Sequence, residues 1–141
     1  MGISSFGALL KKGDGATSES FTTIAEVKDI SGPSLEADTE ETTSHDSPGG
    51  WEESVVTILR GGEVGFDINW LPAHATQNAS TGLLADMTAR TKRNWKLVLP
   101  DTANTTWSFT GFVTGFEPDI PVAGKLGAAV TIKITGQPTL A

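Results

Sequence analysis

The chain has 141 residues, 38% of them hydrophobic and 19% charged, with 16 glycines, no cysteine and a net charge of −7. That length suits one domain able to bury roughly two thirds of its unfolded surface, and the composition is that of a folded globular protein. Disulfides and thiolate chemistry are excluded, no apolar run approaches the ~20 residues of a membrane-spanning helix, and the acidity is of the sign that repels nucleic acid.

Residues 1–20 carry four glycines and little periodicity, and are expected to form a flexible N-terminal arm ahead of a single domain over 21–141. The opening MGISSFGALLKKGDG places its lysines after the apolar patch, the reverse of a secretion signal. Thr22 to Ile30 reads as a strand that ends before Gly32-Pro33. A long loop follows over 41–52, where Asp46, Ser47, Pro48, Gly49 and Gly50 form a turn-prone cluster running straight into Trp51 and Glu52. A tryptophan in such a loop either packs back on its own domain or anchors a partner.

Glu53 to Leu59 is a second strand, and Gly62 to Trp70 alternates with Val64, Phe66, Ile68 and Trp70 on one side and Glu63, Gly65, Asp67 and Asn69 on the other. With Arg60-Gly61-Gly62 between them, the two are expected to pair as a hairpin. Ser80 to Arg93 breaks the β pattern: Leu83, Leu84 and Met87 recur at helical spacing, Ser80 or Thr81 suits an N-cap, and Arg90, Lys92 and Arg93 gather at the end. Asn94 to Leu99, Thr105 to Phe116 and Ala128 to Thr135 complete the strands, with a bend or bulge expected at Gly111 and Gly115. Residues 136–141 read as a short C-terminal tail. The fold class is mainly β, a β-sandwich or barrel with one flanking α-helix.

Signals for chemistry are thin. His45 and His74 are the only histidines, and neither has a metal-ligand spacing. His45 beside Glu41 and Asp46 reads more naturally as a solvated loop residue. Neither a nucleophile elbow nor a phosphate loop is present, so no enzyme activity, catalytic residue or cofactor is expected. Charge is unevenly spread: residues 21–70 hold eleven acids against Lys28 and Arg60, a net −9, whereas 71–141 sum to +2.

The run TTIAEVKDISGPSLEADTEETTSHDSPGGWEE, followed by GGEVGFDINW, GLLADM, RNWKLVLPD, TTWSFTGFVTGFEPDIPV and VTIKITGQPTL, resembles the major tail tube proteins of long-tailed, siphophage-type bacteriophages. The resemblance extends from about Leu9 to the end and rests on the order and spacing of these pieces. It implies a virion protein that is assembled in the host bacterial cytoplasm into six-subunit rings, stacked around a tape-measure protein into a hollow tail tube that meets tail tip and tail terminator proteins. DNA would pass through the lumen without specific binding, and no membrane or cofactor is implied. It also implies that the loop around His45, Asp46, Ser47, Pro48, Gly49, Gly50, Trp51 and Glu52 reaches a neighbouring subunit or ring, as both chain ends would. An acidic half keeps such a conduit from holding its cargo, which makes Glu63, Asp67 and Asn69 lumen-facing candidates, with an outer-surface assignment open beside it. The alternatives are a freestanding β-sandwich module that binds carbohydrate or protein, and the tube protein of a contractile injection or secretion machine.

Overall fold

A computed structural model describes residues 2–141. Seven strands form one sheet in the order β2-β1-β7-β8-β9-β6-β3, comprising β1 (Leu9–Gly13), β2 (Phe21–Thr23), β3 (Val27–Ser31), β6 (Glu63–Asn69), β7 (Arg93–Val98), β8 (Thr106–Asp119) and β9 (Gly127–Leu140). The strands at the two ends of that order, β2 and β3, are separated by only three residues of chain. Hydrogen bonds from Ile24 N–H to Leu10 O and from Asn69 N–H to Glu26 O carry the segment from one edge to the other. The sheet is therefore drawn round on itself, a sandwich-like barrel with α1 (Leu83–Thr88) as its flank.

The alternation seen in the sequence sets the faces. Val64, Phe66 and Ile68 of β6 lie opposite Ile132, Val130 and Ala128 of β9, and all six are buried. Trp95 and Leu97 of β7 and Phe109 and Val113 of β8 continue the core. Trp95 is 1% exposed and satisfies its indole by donating to Gly111 O at 3.2 Å. Register shifts between Ser108 and Thr110 and between Val113 and Gly115 bend the long β8–β9 ribbon near the two positions where glycines interrupt it.

Several sequence expectations are corrected. The expected hairpin of Glu53–Leu59 with Gly62–Trp70 does not form: β5 (Ser54–Arg60) pairs with β4 (Glu36–Glu41) in a separate two-stranded sheet, while β6 pairs with β3 and β9. Gly61 and Gly62 serve close packing instead of a tight turn. A Cβ at Gly62, which has φ 71, would sit 2.0 Å from Ser34 O, and one at Gly61 would sit 2.6 Å from Ile134 Cγ2. The strand expected over Thr22–Ile30 is broken into β2 and β3 where Glu26 takes a positive φ of 56.

The helix is shorter than its spacing suggests. Gly82 is its N-cap, because Asn78 Oδ1 already accepts from the N–H groups of Ser80, Thr81 and Gly82 and holds them in a preceding turn. Arg90, at φ 55, follows its end and releases Arg93 into β7. There Arg93 Nε donates to Asp86 Oδ1 at 3.0 Å, and Lys12 Nζ reaches Asp86 Oδ2 at 2.7 Å. One buried carboxylate thus ties α1 to both β1 and β7, and it persists in the interior because it is paired twice.

Neither chain end is simply an arm or a tail. Residues 9–13, placed in the flexible arm by the sequence reading, are β1, with Leu10 1% exposed. Residues 136–140 extend β9, where Thr139 and Leu140 pair with Ser108 and Trp107. Apolar burial of Leu10 and backbone pairing by β8 outweigh the local glycine content in each case.

Candidate functional site

The β4–β5 hairpin stands free of the seven-stranded sheet, since each of its strands pairs only with the other. The register places Glu36, Glu40, Val55 and Arg60 on one face and Ala37, Thr39, Val56 and Leu59 on the other, with a bulge opposite Asp38. Both faces are wet: Val55, Val56, Ile58 and Leu59 are 49%, 61%, 54% and 78% exposed. Asp38 and Arg60 bridge the two strands at 2.7 Å. Arg60 donates to the Asp38 carboxylate and holds it below its ordinary pKa, while the guanidinium is held above its own.

The tip of this arm, residues 42–53, is built on short polar bonds. Ser47, the one buried residue of the tip, accepts from Ser44 N–H at 2.9 Å and donates to Glu53 Oε2 at 2.8 Å. Glu53 N–H donates to Thr43 Oγ1 at 2.8 Å, and Thr42 N–H to Glu53 O at 2.8 Å, which closes the base of the loop. Pro48–Gly50 form a single 3-10 turn, and Gly49 and Gly50 take φ of 66 and 74, a region open to glycine. The chain emerges at Trp51, whose ring lies against Gly49 and is 77% exposed. The structure therefore brings His45, Asp46, Ser47, Pro48, Gly49, Gly50, Trp51 and Glu52 together at the end of one projecting arm, with only Ser47 withdrawn from solvent.

Glu63, Asp67 and Asn69 lie on the β6 face turned away from the core. Register extends that face across the sheet: Asp67 is level with Ala129 and Glu117, Asn69 with Gly127 and Asp119, and Gly65 with Thr131 and Gly115. The result is a surface of small residues rimmed by carboxylates, with Lys133 opposite Glu63. Glu117 and Asp119 were missed by sequence reasoning; their signal was the EPD that continues the alternation of β8 past Phe116. Asn69 differs from the other two, because it is half-buried and its Oδ1 is sequestered without a hydrogen-bond donor.

Among the described residues, no group of three or more His, Cys, Asp or Glu is placed to hold a metal ion. His74 takes part in a local chain in which Ala25 N–H donates to Thr76 Oγ1 at 3.1 Å and Thr76 Oγ1 meets His74 Nδ1 at 2.9 Å. This couples the loop before α1 to the segment that closes the sheet. Among the described residues, no helix is long and apolar enough to cross a membrane.

The sequence profile described as "Lambda phage tail tube protein, TTP" matches residues 11–141. No curated protein sequence matches. Among solved structures, the chain is similar to one in the tail of an empty gene transfer agent particle at 20% identity, covering 94% of this chain and 95% of that one with a TM-score of 0.69. A second, from the virion of a native gene transfer agent particle, is 18% identical, with 99% of each chain covered and a TM-score of 0.69. A third, from the sheath/tube terminator structure of an extracellular contractile injection system (PVC), is 14% identical, covers 100% of this chain and 97% of that one, and has a TM-score of 0.74. At these identities the likeness is one of fold.

Proposed function

Because the chain belongs to the lambda phage tail tube protein family, we propose that it builds the tube as six-membered rings stacked through the β4–β5 arm, with the acidic face of β6, β9 and β8 turned toward the lumen. The tail tube role and the place in the virion tail follow from the family.

The observation that carries it is the arm itself. A two-stranded ribbon is marginal in water on its own, and this one holds Leu35, Trp51, Val55, Val56, Ile58 and Leu59 in solvent. Such surface makes sense when a second copy covers it. The ribbon also leaves both outer edges unpaired, a liability that pairing between subunits removes.

The inward face rests on charge and bulk. Asp67, Glu117 and Asp119 present carboxylates, while Gly65, Ala129, Gly127 and Gly115 keep the surface low. A duplex moving past such a wall meets repulsion without adhesive contacts. Glu63, Asp67 and Asn69 are assigned to it on this reading. The tape-measure protein, tail tip and tail terminator are the further partners, and assembly takes place in the host bacterial cytoplasm.

Electron microscopy of concentrated protein tests the proposal: hollow tubes or rings are the outcome it requires, and a chain that stays monomeric at every concentration refutes it. A second reading, a tube of a contractile machine, draws on the likeness to the injection-system chain. It would be favoured if the assembled tube templates a surrounding sheath.

A further inference from the structure

The arm carries Glu36, Asp38, Glu40, Glu41, Asp46, Glu52 and Glu53 against the single base Arg60, a net −6 over residues 36–60. A second copy that received it through another acidic surface would be repelled. The basic residues of the chain lie elsewhere. Lys11 on β1 faces Lys96 on β7 directly across the ladder, a like-charge pairing that disfavours the isolated sheet. Lys92 is exposed one residue ahead of β7, and Arg90 is exposed where the chain leaves α1.

Among the described residues, no carboxylate forms an ion pair with this group. Among the described residues the three ion pairs engage Lys12, Arg60 and Arg93 and leave Lys11, Arg90, Lys92 and Lys96 without a carboxylate. The acid on this face, Glu19, accepts from Asn94 Nδ2 at 2.8 Å and from Gly15 N–H at 2.8 Å. Lys96 instead places its ammonium 4.3 Å from the centre of the Phe21 ring. Leu10, Trp95 and Leu97 occupy the core side of the same strands, so Lys11 and Lys96 alternate outward.

Resting on the tube reading, we infer that the β1–β7 face bearing Lys11, Lys92 and Lys96 is the dock for the acidic β4–β5 arm of a second copy of this chain. Each subunit then presents one negative projection and one positive receiver on different elements. That is a heterologous contact, and such contacts propagate into rings and filaments. Opposite charges also set the register of approach and speed the encounter, more so at low salt.

The test uses sedimentation velocity and microscopy of the full chain, with thermal melts to confirm that each variant folds. Lys11→Glu with Lys92→Glu, and separately Glu40→Lys with Glu41→Lys, should each raise the concentration needed for assembly about tenfold. The four changes combined in one chain should return it to near the wild-type value. Because the chain has no cysteine, Glu41→Cys and Lys92→Cys proteins can be mixed and oxidised, and an inter-chain disulfide in the associated fraction is the second expected result.

Wild-type protein that assembles while both reversals assemble equally well overturns the dock and leaves the tube reading standing, as does failure of the fourfold variant to recover. Wild-type protein that never associates overturns both. If the lysine reversal instead abolishes binding of a DNA duplex and spares assembly, the face is a polyanion site and the inference is wrong.

Discussion

If the arm tip contacts a second copy as proposed, Trp51→Ala should weaken assembly and leave folding intact. Trp51 is 77% exposed, so of the ~250 Å2 a tryptophan side chain offers, about 190 Å2 remains available to a partner. At ~25 cal/mol per Å2 that is a ceiling of about 5 kcal/mol. Imperfect packing and the ordering of the tip reduce it to about half, roughly 2–3 kcal/mol for each contact, or about 30- to 150-fold in the association constant. Folding should be nearly unaffected, within about 0.5 kcal/mol, because most of the side chain is already in solvent. Urea unfolding of the monomer and a tube-growth assay by light scattering, run on the same preparations, read the two quantities. A loss of folding stability above about 2 kcal/mol would return Trp51 to the core of its own domain, and unchanged growth would remove it from the interface.

Leu10→Ala should behave in the opposite way, costing about 2–5 kcal/mol of folding stability, since the side chain is 1% exposed under the sheet; a change below about 1 kcal/mol in urea unfolding would mean that β1 is dispensable. Asp86→Ala strands Lys12 and Arg93 without their shared carboxylate, and the loss should fall at the low end of about 3–5 kcal/mol, because their side chains retain 12% and 25% exposure. Asp101 accepts from Thr105 through both its side chain and its backbone, bonds that hold the carboxyl below its ordinary pKa. Its contribution is therefore present above the ordinary carboxylate range near pH ~4 and lost as pH falls through the lowered folded value, so Asp101→Asn should flatten the acid limb of a melting-temperature profile and leave neutral pH with only the loss of the turn.

Alternation carried the reading where one side of a strand is buried and the other is wet. Val64, Phe66 and Ile68 against Glu63 and Asp67, and Val130, Ile132 and Ile134 against Lys133 and Thr135, define their faces in the sequence and hold them in the fold. Strand pairing followed different physics. The stretch SVVTIL has apolar residues on both faces, so it names no core side, and its partner EADTEE has almost no apolar pattern at all. These two strands exist through the ladder between them, and a ladder is a non-local property. The candidate arm tip was legible as a turn cluster ending in Trp51, but its projection from the domain followed only once β5 was seen to leave β6 for β4. Similarly, the LLKKG of β1 shows one buried leucine and two lysines, too short a signal to separate a strand from an arm.

The −9 of residues 21–70 also divides in space. Seven of those acids, from Glu36 to Glu53, sit on the projecting arm, whereas Asp29, Glu63 and Asp67 belong to β3 and β6 on the sheet. On the proposed reading, one charge total serves two surfaces with opposite requirements: a lumen face that repels a polyanion works best without neutralisation, while an arm that docks on a second copy needs neutralising by its receiver. Salt distinguishes them: on passing from about 0.05 to 0.5 M, the Debye length falls from roughly 14 to 4 Å, which weakens an exposed attraction between arm and dock. Apolar burial along Val55, Val56, Ile58 and Leu59 is spared by the same change and strengthened by excluded salts such as sulfate. Tube growth that slows in sodium chloride and recovers in sulfate at matched ionic strength is therefore the behaviour of an arm that finds its place by charge and is held there by its apolar faces.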